Sequence, residues 1–343
     1  MYIYIMSRIS LITILLCAIF FSGNTTISAQ NTTFNKTTTL IRPPYLKTGD
    51  TVAIVAPSGI LRNRTTEVEQ AKNLLKSWGL HVVLGKNVFN QNNHFAGTDD
   101  ERREDFQKAM DDPKISAIWC ARGGYGAVRI LDKLDYSKFK KYPKWVIGYS
   151  DITAIHNQVH NEGFESLHAM MCTSLQDNNE TIKETISTFK DALFGTQITY
   201  TLEGLEYNKA GTASGQLVGG NLTILHTMLG SKTSINTAGK ILFIEEIGEY
   251  EYHIDRMLQS LKRAGYFDDC KGVLVGNITK VRRNTTAWGV SVEQLILDAL
   301  AEYSFPIAFN MPAGHEKDNR ALILGRTVEM TVEKEKSKIL FRN

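Results

Sequence analysis

Trp145-Val146-Ile147-Gly148-Tyr149-Ser150-Asp151-Ile152-Thr153 is the stretch on which the reading of this chain turns. The stretch over 144–147, apolar from Trp145 on, reads as a buried strand, Gly148 as a tight turn, and 151–159 as the helix that follows. Ser150 sits at the junction. In a parallel sheet such a junction lies at the carboxyl edge of the strands, where ligands bind, and the helix aims N–H groups and its positive end at the seryl oxygen. The mechanics are those of a nucleophile elbow, although Ile152 stands where G-x-S-x-G has its last glycine. Serine before a helix is equally the commonest N-cap, so the segment alone leaves a nucleophile and a cap both open.

Working outward, the strand has neighbours of the same kind. A buried strand over 51–56 ends at Pro57-Ser58-Gly59, and a helix follows with Val68, Ala71, Leu74 and Leu75 at helical spacing. Then come a strand over 81–84, a helix over 100–110 and a strand over 115–121. Alternation of this kind predicts a parallel sheet covered by helices on both faces. A helix over 180–193, closed by Gly195, separates this half from a β-rich second half. There the pattern predicts strands over 198–202, 240–244, 272–275, 306–309, 321–324, 328–332 and 339–342, with helices over 254–264 and 292–301. The organisation expected is an α/β domain over 45–178, a connecting helix over 179–199, and a smaller, mixed, β-rich domain over 200–343.

At 343 residues the chain has room for two domains and a cleft between them. A 43% hydrophobic and 22% charged composition is that of a folded globular protein, and a net charge of +3 without a basic stripe gives no reason to expect nucleic acid as a partner. The first residues differ from the rest. Arg8, the apolar run over 9–21 and the small residues Ser28 and Ala29 have the layout of a secretory signal peptide, with cleavage expected at Ala29 or Gln30 and a linker over 30–44. The run is short for a membrane span, so no stable anchor is expected after cleavage. Leu16 before Cys17 argues against lipidation. The remaining Cys120, Cys172 and Cys270 lack metal-ligand spacing, and neither a metal nor a cofactor is expected.

A serine nucleophile needs a base, an acid to orient it and donors for the oxyanion. His315 is the histidine best placed, in the polar loop Met311-Pro312-Ala313-Gly314-His315 between the strands over 306–309 and from Ala321. The strand over 240–244 ends in Glu245-Glu246. Side chains alternate along a strand, so Ile241, Phe243 and Glu245 share one face while Leu242, Ile244 and Glu246 share the other. Arg122-Gly123-Gly124-Tyr125-Gly126 follows a strand and opens a helix, which suits an oxyanion hole or a cradle for a carboxylate, with Arg122 as a candidate cation. Each of these residues also has an ordinary reading, as a surface histidine, a solvated strand end or a turn that needs glycine.

Taken together and in order, these segments resemble the LD-carboxypeptidase family, which includes muramoyltetrapeptide carboxypeptidases and microcin C immunity peptidases. The resemblance rests on the strand over 51–58, Arg122-Gly123-Gly124-Tyr125-Gly126, Gly148-Tyr149-Ser150-Asp151 and Gly219-Gly220-Asn221. It continues through Leu242 to Glu249, Tyr252-His253-Ile254-Asp255-Arg256, and Gly314-His315 with Asn319. It implies Ser150 as nucleophile, Glu245 as acid and His315 as base. It further implies an oxyanion site at the N–H of Asp151 with help from the loop near Gly124, and substrate contacts at Arg122, Tyr125 and Asn221. The fold implied is a flavodoxin-like domain followed by a β-rich one that supplies acid and base, as a homodimer. The activity implied is removal of a terminal D-amino acid from murein peptides across an L,D amide bond. A leader would place that activity in the periplasm. The segment Leu167-His168-Ala169 departs from the His-Gly-Pro common in the family, which bears on local substrate contacts. Peptidases of microcin-like conjugates and a non-catalytic muropeptide-binding protein are the competing expectations.

Overall fold

Val52, Ala53, Ile54 and Val55 are all buried, because the strand that carries them lies inside a sheet covered on both faces. The computed structural model of the protein describes residues 40–175 and 179–342, so the expected leader lies outside the described residues. The first half is built from β1 (Thr51–Val55), α1 (Thr65–Ser77), β2 (His81–Leu84), α2 (Asp99–Asp111), β3 (Ile115–Cys120), α3 (Ala127–Leu131), β4 (Trp145–Gly148), α4 (Thr153–Asn161), β5 (Ser166–His168) and α5 (Lys183–Phe194). The second half adds β6 (Thr199–Glu203), β7 (Gly211–Asn221), α6 (Leu222–Thr227), β8 (Ile241–Ile247), α7 (Glu251–Arg263), β9 (Gly272–Thr279), α8 (Val292–Ala299), β10 (Ile307–Ala308), β11 (Leu322–Leu324), β12 (Thr327–Val332) and β13 (Lys336–Phe341).

The first sheet has six strands in the order β11-β5-β4-β3-β1-β2. Its β2-β1-β3-β4-β5 part is parallel and has the flavodoxin-like order. Alternation sorts the strand residues into two cores. Val52, Ile54 and Trp119 pack with Val68, Ala71 and Leu75 of α1, while Ala53, Val55 and Ile118 pack with Phe106 and Met110 of α2. The start of α2 is fixed by a capping box in which Thr98 accepts the N–H of Glu101 and the Glu101 carboxylate accepts the N–H of Thr98.

The second sheet has seven strands in the order β10-β9-β8-β7-β12-β13-β6. It is parallel from β10 to β7 and antiparallel from β7 to β6. β7 serves both parts: Gly211–Gln216 pairs antiparallel with β12, and Leu217–Asn221 pairs parallel with β8. Its glycines permit close contact. A Cβ at Gly219 would lie 2.1 Å from the Phe243 carbonyl oxygen, and one at Gly220 would lie 2.4 Å from Thr153 Oγ1 on α4. Ile241 and Phe243 of β8 join the core shared with the first sheet, whereas Leu242 and Ile244 face Ile254 and Leu258 of α7. The face of β8 that carries Glu245 is therefore turned toward the first sheet.

The segment expected as a closing strand of the second half, 321–324, instead returns to the first sheet. Leu322–Leu324 pairs antiparallel with β5, where its consecutive apolar side chains are all buried. This strand crosses the boundary expected near Gly195. Among the described residues, no helix is long and apolar enough to cross a membrane.

Candidate active site

β4 ends at Gly148, Tyr149 is extended with φ −148° and ψ −172°, and Ser150 then enters the left-handed region at φ 62°. That conformation costs an L-residue roughly 1–2 kcal/mol and persists only where the surroundings impose it. A 3-10 turn over Ser150–Ile152 runs directly into α4, and no side chain caps either element. Ser150 is thus not a helix cap, and the ordinary reading of this serine falls away. The tightness of the turn falls on Gly148, where a Cβ would lie 2.8 Å from Ile152 Cγ1. From below, His156 Nε2 lies 2.9 Å from the Gly148 carbonyl oxygen, and its Nδ1 lies 2.9 Å from Ser166 Oγ. Burial pushes the His156 pKa down to about 4, so the ring is neutral, and the carbonyl fixes its proton on Nε2. This support for the nucleophile turn had no sequence signal beyond a histidine on the buried face of α4.

The glycine-rich loop lies over the serine. A Cβ at Gly123 would come within 3.1 Å of Ser150 Cβ and 3.3 Å of its Oγ, so Gly123, rather than Gly124, is the loop residue against the hydroxyl. Gly59 N–H donates to the Gly123 carbonyl at 2.9 Å. Asp151, almost wholly buried, accepts the N–H of Ala127 at 2.8 Å and so ties the nucleophile turn to the start of α3. Burial raises the Asp151 pKa, against the pull of the Ser58 hydroxyl, the Ala127 and Gly126 N–H groups and the Arg102 charge. The Arg122 guanidinium donates to the Ile60 carbonyl, and its Nε lies 3.8 Å from where a Gly59 Cβ would stand, so it ties the glycine loop to the segment at Gly59 and Ile60. Tyr125 is 46% exposed, its ring 5.8 Å from that of Phe95.

Acid and base come from the second half. Glu245 is fully buried, and its Oε2 lies 2.7 Å from Nδ1 of His315. Nε2 of His315 lies 3.0 Å from Ser150 Oγ. Gly314, at φ 131°, makes this approach possible, since a Cβ there would stand 3.0 Å from Glu245 Cβ. The loop is pinned on its far side as well. Gly314 N–H donates to Asn319 Oδ1 at 2.9 Å, Asn319 N–H to Thr185 Oγ1 at 2.8 Å, and Thr185 Oγ1 to the Lys317 carbonyl at 3.1 Å. The Tyr149 ring packs edge-on against His315 at 5.0 Å. Burial acts to lower the His315 pKa, but the hydrogen bond and charge of Glu245, with Glu246 behind it, hold it above its ordinary value.

Glu246 belongs to a different network on the opposite face of β8. Its carboxylate accepts the N–H groups of Thr223 at 2.7 Å and Ile247 at 2.8 Å, and Nδ2 of Asn221 at 3.1 Å. The Oδ1 of Asn221 accepts the Ile224 N–H at the start of α6. With both ends of its amide engaged and the residue 5% exposed, Asn221 links the end of β8 to the start of α6. Among the described residues no group of three or more His, Cys, Asp or Glu is arranged to hold a metal ion. Cys120, Cys172 and Cys270 are free and buried. What converges at the carboxyl edge of the first sheet is a strained serine, a neutralisable imidazole and a buried carboxylate in one hydrogen-bonded line. This is the arrangement that activates a hydroxyl for acyl transfer.

Comparison with known proteins gives the same picture from another side. Residues 52–169 match the model of the LD-carboxypeptidase N-terminal domain, and residues 214–330 that of the LD-carboxypeptidase C-terminal domain. A probable murein peptide carboxypeptidase of Bacillus subtilis is 37% identical over 300 residues, which cover 85% of this chain and 92% of that protein. The murein tetrapeptide carboxypeptidase of Pseudomonas aeruginosa is 30% identical over 286 residues, 80% of this chain and 91% of its own. Among solved structures, muramoyltetrapeptide carboxypeptidase from Oxalobacter formigenes superposes with a TM-score of 0.78 at 26% identity, covering 85% of this chain and 99% of that one. The microcin C7 self immunity protein has the same TM-score, 0.78, at 21% identity, a likeness of fold.

Proposed function

The chain belongs to the LD-carboxypeptidase family, and from that premise we propose that it is a serine carboxypeptidase that removes a terminal D-amino acid from murein peptides. Ser150 Oγ attacks the carbonyl of the L,D amide bond while Nε2 of His315 takes its proton. The resulting oxyanion is met by the N–H of Asp151 and by the loop at Gly123 and Gly124. His315 then gives the proton to the leaving amine, which departs as the free D-amino acid and leaves an ester on Ser150. Water, deprotonated by the same imidazole, hydrolyses that ester. Glu245 holds the imidazole in the tautomer that presents a free Nε2 and stabilises the imidazolium between the two proton transfers.

The observation that carries this reading is the unbroken line from Glu245 Oε2 through His315 to Ser150 Oγ, at 2.7 and 3.0 Å. Incubation with a murein tetrapeptide, followed by mass spectrometry, tests it. Loss of one D-alanine by the wild type and none by Ser150→Ala is expected; an intact peptide, or equal cleavage by both, refutes it. The likeness to the microcin C7 self immunity protein, at 21% identity, brings no substrate of its own to this chain.

The place of action is part of the same proposal. Arg8, the apolar run over 9–21 and Ser28-Ala29 support a leader cleaved on export, which puts the enzyme beside the peptidoglycan in the periplasm without a membrane anchor. N-terminal sequencing of the secreted protein should begin at Gln30 or within a residue of it. A homodimer is the assembly proposed, on the family resemblance, and light scattering measures it directly.

A further inference from the structure

An enzyme that trims only chain ends must recognise the free carboxylate of the residue it releases, and the cation expected for that task, Arg122, already donates to the Ile60 carbonyl. We propose that Lys280 receives this carboxylate and so makes the site specific for a free C-terminus. The inference deepens the carboxypeptidase reading above and rests on it.

Three features of the fold place Lys280 there. β9 runs between the acid and the base. On one side Thr279 pairs with Ile247, shortly beyond Glu245 on β8, and its carbonyl accepts the Gly248 N–H at 2.9 Å. On the other side Asn277 N–H donates to the Ala313 carbonyl at 2.9 Å, and a Cβ at Gly314 would stand 3.2 Å from Asn277 Cβ, so the same strand seats the His315 loop. Lys280 is the next residue after β9. It is exposed and held at φ 50°, where the strand direction breaks at the edge that carries the candidate site. Third, of the charges acting most strongly on His315, Lys280 is the only cation, set against those of Glu245 and Glu246.

The chemistry of the leaving group explains why a cation belongs beside this histidine. His315 protonates the departing amine, so the released amino acid must lie against Nε2 when the bond breaks. Its carboxylate is on the same α-carbon as that amine and therefore falls beside the imidazole as well. Left unpaired, the carboxylate would add to the negative charge of Glu245 and Glu246. Lys280 neutralises it, and in the unoccupied site the ammonium keeps the base from being protonated too readily.

The test compares a murein tetrapeptide ending in D-alanine with the same peptide ending in D-alaninamide. The wild type should prefer the free acid. Lys280→Met keeps the aliphatic stem and should lower kcat/KM on the free acid about 10- to 100-fold, mainly through KM, as for loss of a charge-assisted hydrogen bond. Compared on the plateau of the pH profile, where His315 is neutral in both proteins, the amide should be affected far less than the free acid, and Lys280→Arg should restore most of the preference. Binding of the tetrapeptide to Ser150→Ala, with and without Lys280→Met, reads the same contact without turnover and should weaken to the same degree. Unaltered preference and unaltered binding in Lys280→Met overturn the role of Lys280 alone. A wild-type protein that cleaves neither peptide overturns the carboxypeptidase reading itself.

Discussion

Replacing Glu245 by Gln should slow the enzyme and, at the same time, move its pH profile toward acid. Glu245 is fully buried, and the His315 side chain is 13% exposed, so their 2.7 Å contact is shielded from water. Breaking a buried charged pair by removing one partner costs about 3–5 kcal/mol. The imidazolium exists only between the proton transfers, so that cost falls on the transition state and lowers kcat by about 10²- to 10⁴-fold, with KM little changed. The pH effect has its own sign. His315 must be neutral to act as base, so the rate rises as pH climbs through its pKa, which Glu245 holds above 6.5. Burial is the largest influence on that imidazole and acts downward. Without the Glu245 charge the balance shifts toward burial, and the rising limb of kcat/KM should move toward acid even as the plateau drops. Steady-state kinetics from pH 4.5 to 9 on a murein tetrapeptide measure both. A plateau within about threefold of wild type, or a limb that stays in place, would refute the assignment of Glu245 to the histidine.

Other expectations follow from the same geometry. Ser150→Ala and Ser150→Gly should both be inactive, and the glycine variant should be the more stable by about 1 kcal/mol in thermal or urea unfolding, because only glycine relieves φ 62°. Thr185→Val removes the acceptor for the Asn319 N–H and the donor to the Lys317 carbonyl; kcat should fall about tenfold at constant KM, and Thr185→Ser should retain activity. Glu246→Gln should keep most of the activity yet cost about 1–3 kcal/mol of stability by calorimetry, since an amide nitrogen would then face a pocket of N–H donors.

Much of the fold was legible because its strands are buried on both faces. Runs such as Val52 to Val55 and Trp145 to Ile147 carry enough apolar residues to identify a parallel sheet without reference to its neighbours. β7 was illegible for the opposite reason. Gly211, Gly215, Gly219 and Gly220 leave Gly211–Asn221 without a strand signal, and its strand conformation comes from pairing with β8 and β12. Gly219 and Gly220 are there for close approach to Phe243 and Thr153, a property of the assembled sheets that local propensity does not encode. The return of Leu322–Leu324 to the first sheet was hidden likewise, because a short apolar run does not say which sheet it completes.

At the site, the residues that sequence could place were those whose position follows from strand alternation and turn chemistry. Glu245 and Glu246 differ by a single step along β8, and that step decides everything about them. One side chain enters the core shared with the first sheet and meets His315; the other enters the layer under α6 and meets Asn221 and Thr223. The polar residues of the other motifs could not be sorted this way. Arg122 and Asn221 occupy a loop and a strand end, where a long or amide-bearing side chain can serve a ligand or the backbone, and in this fold each engages a backbone group, the Ile60 carbonyl and the Ile224 N–H. Recognition of a ligand by its charge is then left to side chains that the fold does not consume. This is why Lys280, outside every motif the chain displays, is the cation that matters at the site, and why the motifs identify the chemistry of the bond cleaved better than the peptide that carries it.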